Sequence, residues 1–158
     1  MRTSVFISGC RHHCPECFNK IAWDFEYGKE WNKETLDYIL SSCEPPWIAG
    51  LSVLGGEPFE PENQNGVLEL LKAFKARYPL KTVWCYSGFT LDQLLGKEKS
   101  RAATETAKEM LKYIDILVDG RFEQELKNIS LVFRGSENQR VIDLQKTLKT
   151  GEITLYLE

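Results

Sequence analysis

Thr3-Ser4-Val5-Phe6-Ile7-Ser8, closed by Gly9, is a short β-rich apolar run that ends on a turn residue. The same unit recurs along the chain. Ile48–Leu54 is closed by Gly55-Gly56, Thr82–Tyr86 by Ser87-Gly88, and Ile114–Val118 by Asp119-Gly120. Helical patterns lie between these runs. Asn32 is placed to cap a helix carrying Leu36, Ile39 and Leu40 on one face, and Pro45-Pro46 stops it. Val67, Leu70, Leu71, Phe74 and Tyr78 fall at helical spacing ahead of Pro79. Thr90 and Gln93 form a capping-box pair for a short helix ending at Gly96, and Ala107, Met110 and Leu111 mark another. Strand alternating with helix predicts an α/β fold with a mostly parallel sheet and helical crossovers. Past Gly120 the pattern loosens, with Gln139–Leu144 and Ile153–Leu157 as candidate late strands. No internal linker, repeat or low-complexity stretch interrupts the 158 residues, which read as one domain, 1–158.

Gly9, Gly55, Gly88 and Gly120 all fall just past the carboxyl ends of the predicted strands. Parallel α/β folds bind ligands at that edge, where glycine lets the backbone turn sharply and approach a ligand. Any one of them alone reads as an ordinary turn glycine. Their shared position, with a cysteine loop beside the first, marks one functional face.

That loop is Gly9-Cys10-Arg11-His12-His13-Cys14-Pro15-Glu16-Cys17-Phe18, with thiols at C-x3-C-x2-C spacing. Thiolates are natural ligands for iron–sulfur iron, and three of them leave one iron of a four-iron cube open for a chelating substrate. The alternative is a zinc site made from these thiols and His12 or His13. Structural zinc sites usually draw ligand pairs from separate segments, and no second Cys/His pair follows downstream. Within the loop, His12 and His13 read as solvent-facing or packed near the cluster. Cys43 and Cys85 read as buried apolar thiols.

Composition narrows the function class. A 42% hydrophobic content supports a real core, while a net charge of −3 lacks the basic balance expected of a nucleic-acid grip. The five cysteines are odd in number and three crowd one loop, which points to metal binding in a reducing compartment. The apolar stretch before Cys10 is too short for a signal h-region, and no segment is long and apolar enough to span a membrane. Cytoplasm is the expected location.

The cysteine loop followed by an aromatic residue, together with Leu54-Gly55-Gly56-Glu57-Pro58 after the second strand, resembles the radical S-adenosylmethionine (SAM) superfamily. Four further stretches resemble its branch that activates anaerobic ribonucleoside-triphosphate reductases. They are Cys17-Phe18-Asn19 with Trp23, Trp84-Cys85-Tyr86-Ser87-Gly88-Phe89-Thr90, Val118-Asp119-Gly120-Arg121-Phe122, and Phe133-Arg134-Gly135-Ser136-Glu137-Asn138-Gln139-Arg140-Val141-Ile142-Asp143. The resemblance runs from Arg2 to about Asp143.

The resemblance implies a partial (β/α) barrel of radical SAM type. It implies a [4Fe-4S] cluster on Cys10, Cys14 and Cys17, and SAM beside Glu16, Cys17, Phe18, Gly55, Gly56, Glu57 and Pro58. In it Glu57 lies near the SAM ammonium and Phe18 packs on the adenine. No catalytic side chain beyond the cluster ligands is implied. The implied reaction is reductive cleavage of SAM to a 5′-deoxyadenosyl radical that makes a glycyl radical on the large subunit of the reductase. The alternative is a radical SAM enzyme acting on another peptide or small molecule. The electron donor is expected to be a flavodoxin or ferredoxin, with no nucleic acid or membrane as partner. Ser87 and Asp119 are weaker candidates for the ribose or the substrate glycine loop, each with a local cap as the alternative. Arg134, Asn138 and Arg140 are expected to line a docking face. The family's Gly-Pro-Gly-like segment before the first strand is expected to be absent, because Met1-Arg2 leads directly into Thr3.

Overall fold

A computed structural model of the chain describes residues 1–17 and 19–157. The element order is β1 (Thr3–Ile7), α1 (Lys33–Ser42), β2 (Gly50–Gly55), α2 (Pro61–Arg77), β3 (Thr82–Tyr86), α3 (Leu91–Leu95), α4 (Glu105–Leu111), β4 (Ile116–Asp119), β5 (Arg140–Asp143), α5 (Leu144–Thr150) and β6 (Leu155–Leu157). One six-stranded sheet runs in chain order, β1-β2-β3-β4-β5-β6. Its first four strands are parallel, while β5 and β6 each run antiparallel to the strand before them. The mixed, mostly parallel α/β architecture predicted from the strand–glycine units is therefore present.

Chain order decides where the core lies. Each parallel crossover steps in the same direction, and right-handed crossovers that never reverse direction put their helices on one face. Val5, Ile7, Leu51, Val53, Val83, Cys85 and Leu117 point to that face, and Leu40, Leu70, Leu71, Phe74, Leu94 and Met110 pack down on them from α1 to α4. Burying each large apolar side chain fully contributes about 1.5–3 kcal/mol. Alternation along the strands sends Ser52, Trp84, Tyr86, Ile116 and Val118 to the opposite, helix-free face. There Phe133 and Tyr156 meet Trp84 edge-on.

The helix signals act as predicted. The Asn32 side chain accepts from the Thr35 amide at 2.9 Å. Thr90 and Gln93 cap each other reciprocally, and α3 ends at Gly96. Two details differ from the pattern. β4 begins at Ile116 rather than Ile114, because Ile114 turns into the core and Asp115 accepts from the Val83 amide (2.8 Å) and Lys75 (2.7 Å). Between the two late strands lies α5, capped by Asp143 and ended at Gly151. Among the described residues no helix is long and apolar enough to cross a membrane.

Candidate metal centre at the carboxyl edge of the sheet

The carboxyl edge is built by stitching two turns together. Gly55 has φ +135°, and a Cβ there would stand 2.3 Å from the Ile7 backbone. Glycine therefore lets the turn after β2 lie flat on β1. The Gly56 amide donates to the Ile7 carbonyl (2.9 Å) and the Glu57 amide to the Gly9 carbonyl (2.8 Å). On the other side the Gly9 amide donates to Ala22 (2.7 Å) and the Cys10 amide to Trp23 (3.2 Å).

The cysteine loop hangs from this seam and is locally strained. His13 (φ 48°) and Glu16 (φ 58°) occupy the left-handed region, which costs of order 1–3 kcal/mol for a residue with a side chain. Internal support comes from the Cys17 amide donating to Cys14 (3.1 Å) and the Asn19 amide reaching Cys17 Sγ (3.4 Å). The remaining ties come from distant parts of the chain. The buried Glu60 carboxylate accepts from the Arg11 amide at 2.6 Å and takes Arg101 bidentately at 2.7 and 3.1 Å. The Arg11 guanidinium reaches Glu60 at 3.2 Å and also pairs with Glu62. Burial alone would raise the Glu60 pKa, but Arg101 and Arg11 outweigh it and hold the carboxyl below its ordinary value. Arg121 donates to the His12 carbonyl from beyond β4. The fully buried Glu57 accepts from His12 Nε2 at 2.9 Å.

Cys10, Cys14 and Cys17 line one hollow of about 140 Å³ with Gly55, Gly56 and Trp23. A larger hollow of about 580 Å³ sits on the helix-free face and includes Arg2, Trp84, Asp115 and Tyr156. It offers no thiol, and Arg2 there is spent on Ser52, Thr82 and the Leu51 and Thr82 carbonyls. The smaller hollow is therefore the candidate metal site. Among the described residues, no three Cys, His, Asp or Glu side chains converge on a point that one metal ion would fill. A cubane is a larger object, and it places each thiolate on a different iron. His12 Nε2 is engaged by Glu57, and His13 stacks flat on Trp23 at 4.2 Å, so both rings already have partners outside the thiol set of the zinc alternative. Burial pushes the Cys10 thiol up to about 11. A bound cationic iron is what would deprotonate it. The donor set and its setting fit an iron–sulfur cube.

The other expected site residues divide. Glu16, Cys17, Gly55, Gly56, Glu57 and Pro58 fall on the cysteine loop and the facing turn, while Phe18 lies outside the described residues. Ser87 donates to Glu57 (2.9 Å) and accepts from the Phe89 amide (3.0 Å). Asp119 accepts from the Leu91 amide (2.8 Å) and from Arg140 at 3.0 and 2.6 Å. Ser87 thus turns back on its own loop and on Glu57, while Asp119 is held by residues 28 and 21 positions away. Arg134, Asn138 and Arg140, expected to line a docking face, also make contacts within the chain. Arg140 neutralises the buried Asp119, Arg134 donates to the Gln139 and Glu137 carbonyls, and Asn138 donates to the Arg121 carbonyl (2.8 Å). Sequence reasoning missed Glu60, Arg11 and Arg101, since no local pattern announces an ion pair between residues 41 and 49 positions apart.

Comparison with known proteins supplies the family. The model of the 4Fe-4S single cluster domain matches residues 1–142. The anaerobic ribonucleoside-triphosphate reductase-activating protein of Escherichia coli K12 is 36% identical over 146 residues, 91% of this chain and 89% of that protein. The protein of that name from Enterobacteria phage T4 is 32% identical over 140 residues, 89% of this chain and 82% of that protein. This chain belongs to the family of these activating proteins. The Vibrio cholerae member is 36% identical over 140 residues, 87% of this chain and 84% of its own. No solved structure gives a significant match. The match to a 4Fe-4S domain supports an iron–sulfur cluster in this chain.

Proposed function

We propose that the chain is a radical SAM oxidoreductase that cleaves SAM to a 5′-deoxyadenosyl radical and makes a glycyl radical on the large subunit of an anaerobic ribonucleoside-triphosphate reductase. The observation that carries this reading is the placement of three free thiols on one loop, facing the Gly55-Gly56 turn at the carboxyl edge of a parallel sheet. Homology to the activating proteins supports the same reading.

In this proposal Cys10, Cys14 and Cys17 would hold the cluster, and their three thiolates would leave it room to bind SAM. When bound, the cluster supplies the electron that parts SAM into methionine and the adenosyl radical, which takes a hydrogen atom from a glycine Cα. This chain's residues orient and enclose. Gly55 and Gly56 keep the turn low enough for SAM to lie against backbone, Pro58 fixes its course, and Glu57 sets its end. Cys17 lines the opposite side of the hollow, and Glu16 and Phe18, next to it in sequence, are proposed to contact SAM on the strength of the resemblance. The helix-free face leaves the radical carbon accessible to a glycine-bearing segment, as near-contact between reacting atoms requires. Chain-order strands with all crossover helices on one face also support a partial (β/α) barrel of radical SAM type. A flavodoxin or ferredoxin is proposed as electron donor, and the cytoplasm as the location.

The test is anaerobic reconstitution with iron and sulfide, followed by SAM cleavage with and without a candidate reductase. Deoxyadenosine formation and a glycyl radical by electron paramagnetic resonance are expected. Stoichiometric zinc with iron and sulfide near zero would sink the reading.

A further inference from the structure

We infer that the Glu57 carboxylate acts on the cysteine loop rather than on SAM, and that His12 is the positioning residue through which it acts. The inference rests on the cysteine loop being the cluster site.

The carboxylate is saturated. Its Oε1 accepts from His12 Nε2 (2.9 Å) and the Gly88 amide (2.7 Å), and its Oε2 from the Phe59 amide (2.9 Å) and the Ser87 hydroxyl (2.9 Å). A carboxylate offers about four lone-pair sites, and all four are taken. Glu57 is 0% exposed, so turning an oxygen toward an ammonium in the hollow would strand a buried donor. Against an acceptor-only carboxylate, Nε2 is the nitrogen that carries the proton.

His12 sits in a slot built for its ring. Its side chain is 7% exposed. Phe89 meets it edge-on at 4.5 Å. At Gly88 a Cβ would come within 2.7 Å of the imidazole, so only glycine leaves room for it. His12 stands between Cys10 and Cys14, next to the strained His13. One side chain thus ties the middle of a loop with little internal support to the ends of both β2 and β3. Cluster geometry depends on groups that orient the ligands as much as on the ligands themselves.

The test compares wild type with His12→Ala, His12→Gln and Glu57→Gln, each reconstituted anaerobically. Iron content, the rate at which EDTA bleaches the cluster, SAM affinity of the cluster-bearing fraction and thermal melting of the apoprotein are measured. His12→Ala should bleach at least about tenfold faster than wild type, and His12→Gln, which keeps a donor, should recover most of that loss. Glu57→Gln should bleach faster with SAM affinity unchanged. The inference is overturned if His12→Ala bleaches at the wild-type rate, or if Glu57→Gln keeps its cluster and loses SAM affinity instead. If Glu57→Gln does not fold, the contrast between the two His12 variants decides. A wild-type protein that takes up no cluster overturns the cluster reading itself, a distinct outcome.

Discussion

The ground under the helices and the ground at the carboxyl edge are both buried, but they are held by opposite means. Beneath α1 to α4 the interior is hydrocarbon, with Leu71, Phe74, Leu94, Met110 and Leu117 all fully buried alongside Cys43 and Cys85. At the edge the buried groups are acids: Glu57, Glu60 and Asp119 are at most 1% exposed, and each meets an array of donors. Apolar burial is non-directional and graded with area. A buried carboxylate is directional and close to all-or-none, because one missing donor leaves charge or a polar group unmatched. The body of the protein thus tolerates adjustment, while the edge specifies one arrangement of loops. The cysteines follow the same division. Burial drives the Cys85 thiol well above its ordinary value, as suits an inert packing group, and Cys10 sits where a metal can reach it.

The sharpest break between the regions comes from the cysteines. Changing Cys10, Cys14 or Cys17 to Ala should abolish both the cluster and SAM cleavage, whereas Cys43→Ala or Cys85→Ala should leave iron and sulfide content at wild-type levels. Cluster loss in Cys85→Ala at wild-type stability would erase the distinction. Next in size, Phe74→Ala should cost about 3–5 kcal/mol in urea unfolding, yet the molecules that remain folded should load iron normally. Glu60→Ala should cost about 3 kcal/mol, toward the low end for breaking a buried pair because both arginines still reach water. Its folded fraction should load iron poorly, since Arg11 is released beside Cys10. Equal iron loading in the two variants would show that the edge carries no special order.

Acid sharpens the same contrast. The folded-state pKa of Glu60 lies below its unfolded value near 4.5, so its stabilisation is complete above that pH. It is lost as pH falls through the depressed folded value. Apoprotein melting temperature should therefore fall on the acid side in wild type, and less steeply in Glu60→Gln. Parallel acid limbs would remove Glu60 as a source of the effect. The smallest expected change belongs to the helical side. Thr90→Ala, which opens the α3 capping box, should cost about 1 kcal/mol and leave iron uptake alone.

What the sequence disclosed follows this division too. Strands, crossovers and caps depend on near neighbours, so the glycine-closed runs, Asn32 and the Thr90–Gln93 pair could be read directly. α5 was legible in principle, since Asp143 caps it and Gly151 ends it, but it is short and carries only Leu144 and Thr147 as buried markers. The edge depends on partners far apart in sequence. No local pattern singles out Arg101, yet it is the bidentate partner of Glu60. Arg140 pairs with Asp119 across β4 and β5, and nothing local reveals that Asp119 is buried opposite it.

The ties on the cysteine loop also set an order of events during synthesis. The thiols leave the ribosome first, but the groups that shape their loop follow at Glu57, Glu60, Gly88, Arg101 and Arg121. Until Arg121 has emerged, the nascent chain carries three cysteines without the scaffold that spaces them. Because these ties reach as far as Arg121, beyond β4, the loop can take its full shape only after four of the six strands have been made. A cluster held by this loop would then be inserted late, into a finished fold rather than a growing chain.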